Sequence, residues 1–191
     1  MSFEYKVLKQ QIFSNGQQSL IPIRMKDRHN IRKWRNEQIF HLRQNKILTE
    51  AEQDHYFNTV VKALFAEVQP NQILFSYLEN NQCIGYGGLV HINWIDKNAE
   101  ISFIMNTELE KDYFSKHWIV FLELIEQVAF HELKLHKLCT YAFDLRPHLY
   151  EIIENAGFVK EGILKEQCLF NGEYKDVIMH GKLNKSDDSV I

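Results

Sequence analysis

The chain has 191 residues, a formal charge of −3, 45% hydrophobic and 13% aromatic residues, and three cysteines. That length suits one domain with one core, the apolar fraction excludes a disordered chain, and a charge near zero argues against broad electrostatic binding to nucleic acid. No apolar run approaches the ~18 residues of a membrane span, so no membrane association is expected. Cys83, Cys139 and Cys168 lie far apart and read as reduced residues of a cytoplasmic protein, not as a disulfide frame. Glycine is scarce, with eight residues in all and none from Leu89 through Ala156, and neither a P-loop nor a dinucleotide fingerprint is present.

In chain order, Tyr5–Ile12 and Leu20–Met25 flank the turn signal Asn15-Gly16, which predicts an N-terminal hairpin. Asp27 is placed to cap a short helix carrying Ile31 and Trp34. Thr49-Glu50-Ala51-Glu52 is a capping box, and it opens a helix with Tyr56, Phe57, Val60, Val61 and Leu64 at helical spacing. Ile73–Leu78, Cys83–Trp94 and Ala99–Met105 are separated by short polar joins, the pattern of an antiparallel meander. Gly85, Gly87 and Gly88 inside its second strand predict a bulge or a close backbone approach.

Ser115–Leu133 predicts a long helix with a wide apolar face that packs on a sheet. Lys137–Phe143 reads as a strand, and Pro147 to Ala156 as a helix closed by Gly157. Phe158–Leu164, Glu166–Phe170 and Asp176–Leu183 read as β segments. Residues 1–183 therefore form a single mixed α/β domain, with 184–191 as a polar, loose tail.

Several segments, in this order, resemble the GNAT superfamily of acetyl-CoA-dependent N-acyltransferases. Ala156-Gly157-Phe158-Val159-Lys160-Glu161-Gly162, followed by Asn171-Gly172-Glu173-Tyr174-Lys175-Asp176, is similar to the ending of the subgroup typified by ribosomal-protein N-terminal acetyltransferases. Asn98-Ala99-Glu100-Ile101-Ser102-Phe103 looks like the family's fourth strand, and Val128-Ala129-Phe130 with Lys134-Leu135 like the end of its third helix. A narrower likeness, Trp34-Arg35-Asn36 and Asn93-Trp94-Ile95-Asp96, points to acetyltransferases of amino-sugar nucleotides. The resemblance implies a twisted, mostly antiparallel central sheet flanked by helices, with splayed fourth and fifth strands that admit acetyl-CoA as co-substrate. It also implies a primary amine as acceptor: an amino-sugar nucleotide, a protein N-terminus or a small amine. A monomer or homodimer is expected, with no metal.

Acyl transfer to an amine requires loss of the ammonium proton, stabilisation of an oxyanion and protonation of the departing thiolate. Glu100 occupies the family's strand-four glutamate position and is the first candidate base, with His91 second. Relatives often carry a tyrosine acid where this chain has Ile153, so Tyr150, one turn earlier, or Tyr141 on the preceding strand would substitute. The resemblance implies pantetheine pairing at Ile104, Met105 and Asn106 and acceptor contacts at Trp34, Arg35 and Asn36. The family's glycine-rich diphosphate turn falls within Lys111–Ile119, which holds no glycine. There the expected contacts are Ser115, Lys116, His117 and Trp118 at a helix N-terminus, with Arg146 meeting a phosphate or carboxylate. The missing glycines also support a second reading, a catalytically degenerate domain that serves as a binding or accessory protein. His131-Glu132-Leu133-Lys134-Leu135-His136 departs from a zinc signature, because its second histidine stands at i+5 rather than i+4.

Overall fold

The computed structural model describes residues 3–185. Its strands are β1 (Phe13–Asn15), β2 (Gln18–Pro22), β3 (Ile73–Glu79), β4 (Gln82–Asn93), β5 (Asn98–Met105), β6 (Lys137–Phe143), β7 (Val159–Phe170) and β8 (Glu173–Leu183). They make one sheet in the order β1-β2-β3-β4-β5-β6-β8-β7, antiparallel except for the β5–β6 pair. The helices are α1 (Arg28–Glu37), α2 (Glu50–Tyr56), α3 (Lys62–Leu64), α4 (Thr107–Glu126) and α5 (His148–Asn155). This is the mixed α/β arrangement expected of the GNAT fold. No helix among the described residues is long and apolar enough to cross a membrane.

The N-terminal hairpin is real but shorter than its apolar pattern suggests. Strand β1 starts at Phe13, because Tyr5 is drawn into the core instead: its hydroxyl donates to the Leu74 carbonyl at 2.8 Å and accepts from the Leu74 amide at 2.9 Å. Asp27 sits at the start of α1 without capping it; its buried carboxylate accepts from Arg24 and from the Ser76 hydroxyl at 2.7 Å. The Thr49–Glu52 capping box forms reciprocally at 3.2 and 2.9 Å. Helix α2 then runs through a π-helical turn, Phe57–Val61, into α3. Phe57, Val61 and Leu64 face the core, whereas Val60 is 42% exposed.

The meander β3–β4–β5 is the centre of the core. A Cβ at Gly87 would overlap the Ser102 carbonyl and the Phe121 ring, so this glycine allows α4 to pack closely on the sheet. Phe121 stacks on Phe103 with ring centroids 4.0 Å apart. Helix α4 starts eight residues before the expected Ser115, because Asn106 caps it: its Oδ1 accepts from the Glu108 amide at 3.1 Å. Residues 159–170, expected to break at 165, form one strand with an irregular register between Leu164 and Cys168. Asn184 is buried and donates to the Leu135 carbonyl at 3.1 Å, so packing continues past residue 183. Residues 186–191 of the expected tail lie outside the described residues.

One feature of the sheet makes a site. The parallel ladder joins Asn98 to Lys137, Ala99 to Leu138 and Glu100 to Cys139. Beyond that rung β5 stays with β4 as far as Met105↔Gly85, while β6 stays with β8 as far as Phe143↔Val177. The two strands diverge, and a cleft opens between them.

Candidate active site

The cleft holds a cavity of about 200 Å³ walled by Glu100–Ile104 of β5 and Thr140–Phe143 of β6. Arg35, His41, Leu42 and Arg43 close one side; Trp118, Arg146 and Leu149 close the other. Glu100 stands at the fork itself. Its carboxylate is 14% exposed and lies between the Arg43 guanidinium and His91, whose Nδ1 is 3.0 Å away. Arg43 in turn lies over the Tyr141 ring, 4.5 Å from its centroid. Strand alternation carries Glu100 to the fork. His91 comes beside it because β4 is irregular between Val90 and Asn93, where His91 takes a φ of +50°. His91 is 64% exposed and belongs to the rim, not to the cavity wall.

Tyr150 does not reach the cavity wall. Its hydroxyl donates to Asp144 Oδ1 at 3.0 Å, and its ring stacks on buried His180. Burial and then the Asp144 carboxylate push its pKa well above the ordinary phenol value, which makes it a poor proton donor. The tyrosine that lines the cleft is Tyr141, and Ile153, at the family's tyrosine position, is fully buried.

The C-terminal end of β5 is closed. Ile104 lines the cavity, but the Met105 carbonyl accepts from buried Gln38 Nε2 at 2.7 Å and the Asn106 amide donates to the Ile84 carbonyl at 2.7 Å. Those two groups are spent on the fold and are not free for pantetheine. Ser115–Trp118 form no helix N-terminus, since they lie two turns inside α4 with their amides used in the helix. Lys116 pairs with Glu79 at 3.0 Å. His117 is buried against the Tyr77 hydroxyl, 3.1 Å from Nδ1, and burial lowers its pKa. Only Trp118 of this group touches the cleft, edge-on to Phe103 at 5.1 Å. The true first turn of α4 carries Glu108 and Glu110.

Among the acceptor candidates, Trp34 is a core residue, because the apolar face of α1 points it inward. Asn36 fastens the following loop, donating to the Leu48 carbonyl and accepting from the Leu48 amide, both at 2.9 Å. Arg35 alone reaches the cleft. Its Nε donates to Gln44 Oε1 at 2.9 Å and its Nη1 to the Tyr86 hydroxyl at 2.6 Å. Arg146 also lines the cleft, tied to Glu110 at 2.9 Å, and burial lowers its pKa.

Three wall residues carried no sequence signal. Arg43 and His41 sit in the aperiodic stretch after α1. Burial and the nearby Arg146 charge push the His41 pKa down to about 3, so its imidazole is neutral in the wall. The buried Thr140 hydroxyl has no hydrogen-bond partner among the described residues and lies in the β6 wall of the cleft. Elsewhere, His29, Glu50 and Asp54 bring ligand atoms within 4.8 Å of one another, but Arg28 already pairs with Asp54.

Comparison with known proteins places the fold and the family. Spermidine N(1)-acetyltransferase of Vibrio cholerae is 32% identical over 109 residues, covering 54% of this chain and 61% of that protein. The probable N-acetyltransferase YjcK of Bacillus subtilis is 34% identical over 67 residues, 35% of this chain and 37% of its own length. The aligned segments thus span less than two thirds of either curated relative. The crystal structure of the Vibrio spermidine enzyme with CoA and spermine superimposes with a TM-score of 0.75 at 24% identity, over 89% of this chain and 97% of that one, a likeness of fold. A dodecameric form of that enzyme superimposes with a TM-score of 0.71 at 23% identity, over 92% of this chain and 98% of that one. The acetyltransferase (GNAT) domain model matches residues 20–179, nearly the whole sheet and every helix. The chain belongs to the GNAT acetyltransferase family.

Proposed function

We propose that the protein is an N-acetyltransferase that moves an acetyl group from acetyl-CoA to a primary amine by direct transfer in a ternary complex. The observation that carries this reading is the fork between β5 and β6, with a glutamate on its last rung and an open cleft beyond it. Acetyl-CoA supplies the activated acyl group. Backbone N–H groups of β5 past Glu100, released from β6 by the splay, are donors for the thioester oxygen. The unpartnered Thr140 hydroxyl offers a hydrogen bond to the pantetheine arm from the opposite wall. Glu100 takes the ammonium proton, directly or through a water, and exposed His91 relays it to solvent. Tyr141 lines the cleft where the thiolate departs. The Glu100→Gln enzyme is the test: a kcat/KM equal to wild type overturns Glu100 as the base.

The protein's relatives include spermidine acetyltransferases, and the proposal carries an amino-sugar nucleotide, a protein N-terminus and a small amine as acceptor classes. A cytoplasmic setting fits three unpaired cysteines. The working unit is taken as a monomer or homodimer, although the Vibrio enzyme forms dodecamers.

The accessory reading draws on a specific observation: α4 follows β5 with only Asn106 between them, and Glu108 in its first turn places a negative charge where a diphosphate would sit, while Glu110 is already paired with Arg146. Thermal shift separates the two. Acetyl-CoA at about 100 times its Kd stabilises a binder by ~2.7 kcal/mol. No shift at millimolar acetyl-CoA overturns the enzyme and leaves the accessory role.

A further inference from the structure

Besides Tyr141, the ionisable groups of the cleft wall are Arg35, Arg43, Arg146, Glu100 and His41. Two of the arginines are neutralised within the protein, Arg43 by Glu100 and Arg146 by Glu110. Arg35 is different. Both of its hydrogen-bond partners, the Gln44 amide and the Tyr86 hydroxyl, are uncharged, and it has no carboxylate partner among the described residues. A guanidinium offers five N–H donors, and those two bonds use two of them, leaving three.

The position of Arg35 is as telling as its charge. It lines the cleft, and it also lines a second cavity of about 260 Å³ beneath α1 and α2, walled by Tyr56, Gln72, Tyr86 and apolar neighbours. Ser102 of β5 is the other residue common to both walls. Among the residues of that second wall, the one carboxylate is Glu52, which is committed to Lys46 and to the Thr49 amide. The remaining donors of this half-buried guanidinium are not spent within the protein, so a ligand can take them. A polycationic acceptor would add charge where none is compensated. An oxyanion would fill the open donors, since guanidinium matches phosphate and carboxylate in bidentate geometry.

We infer that the acceptor is a primary amine bearing a phosphate or carboxylate, and that Arg35 receives this anion while the amine reaches Glu100. The inference rests on the transfer reading above and narrows its acceptor.

The test compares matched amines in a thiol-release assay with saturating acetyl-CoA: glucosamine 6-phosphate against glucosamine, 4-aminobutyrate against 4-aminobutanol, and spermidine as the polycation. The first pair reads phosphate and the second carboxylate. The expected result is a kcat/KM advantage on the order of tenfold or more for an anionic member over its neutral match, the usual scale of a charged hydrogen bond. Arg35→Gln should collapse that ratio through acceptor KM, Arg35→Lys should restore part of it, and acetyl-CoA KM should move by less than about threefold. Spermidine as the best acceptor, or an Arg35→Gln defect that falls on acetyl-CoA KM, overturns the inference. If no amine is acetylated, the transfer reading fails separately, and calorimetric titration of the two anionic amines decides the anion site. Binding by wild type that Arg35→Gln loses supports the site; equal behaviour of the two proteins overturns it.

Discussion

The two ends of β5 obey opposite rules. At Glu100 the strand has just lost its β6 neighbour, and the side chain there is held by Arg43 from a distant loop and by His91 from a bulge in β4. At Met105 the same strand is sealed: Gln38 takes its last carbonyl, Ile84 takes the next amide, and Asn106 turns the chain into α4. The first end faces the open cleft, whereas at the second the Met105 carbonyl and the Asn106 amide are both spent on the fold. Chemistry is expected at the fork, and stability at the seal.

Four measurements can break or sharpen that contrast. The largest effect belongs to the fork: Glu100→Gln should lower kcat/KM by roughly 100-fold or more, the scale of a lost general base, while its denaturation midpoint stays near wild type. At the seal, Gln38→Leu should leave the Met105 carbonyl buried and unpaired, costing about 2 kcal/mol in denaturant unfolding. An unchanged midpoint would mean that this end is not closed by Gln38. Asn106→Ala removes the α4 cap and should cost about 1 kcal/mol, and Asn106→Asp should keep most of it.

The smallest effect is a pH slope. His41 stays neutral in the fold down to about pH 3, because of burial and then Arg146, whereas an unfolded imidazole protonates near ~6.5. Between those values the unfolded chain binds a proton that the folded chain refuses, so this group lowers stability progressively as pH falls from ~6.5 toward 3. The Tm of His41→Phe should therefore fall less than that of wild type between pH 7 and pH 4. Parallel Tm curves would show that His41 is accessible to protons in the native cleft.

Legibility followed the same divide. Glu100 and the fold could be read because alternation, capping residues and turn pairs act over a few positions, and the Thr49–Glu52 box forms as its spacing requires. The start of α4 could not, because Thr107–Asp112 is polar and carries no apolar stripe, so the helix signal surfaces only where Phe114 and Trp118 turn inward. Tyr150 lies on the expected turn of α5, yet it points to Asp144 rather than into the cleft. That choice depends on a side chain six positions earlier in a loop.

The scarcity of glycine also has an explanation. A strand that passes into a helix through a single capping residue needs no glycine-rich turn, and Leu89–Ala156 contains none. By itself the sequence determined the family, the order of strands and helices, and the glutamate on the strand that forks, since each is written in local pattern. Only the tertiary structure decided which groups surround that glutamate and which cleft arginine lacks a counter-ion among the described residues. Arg43 and Glu100 are 57 positions apart, and no local rule acts across that distance until the sheet has closed.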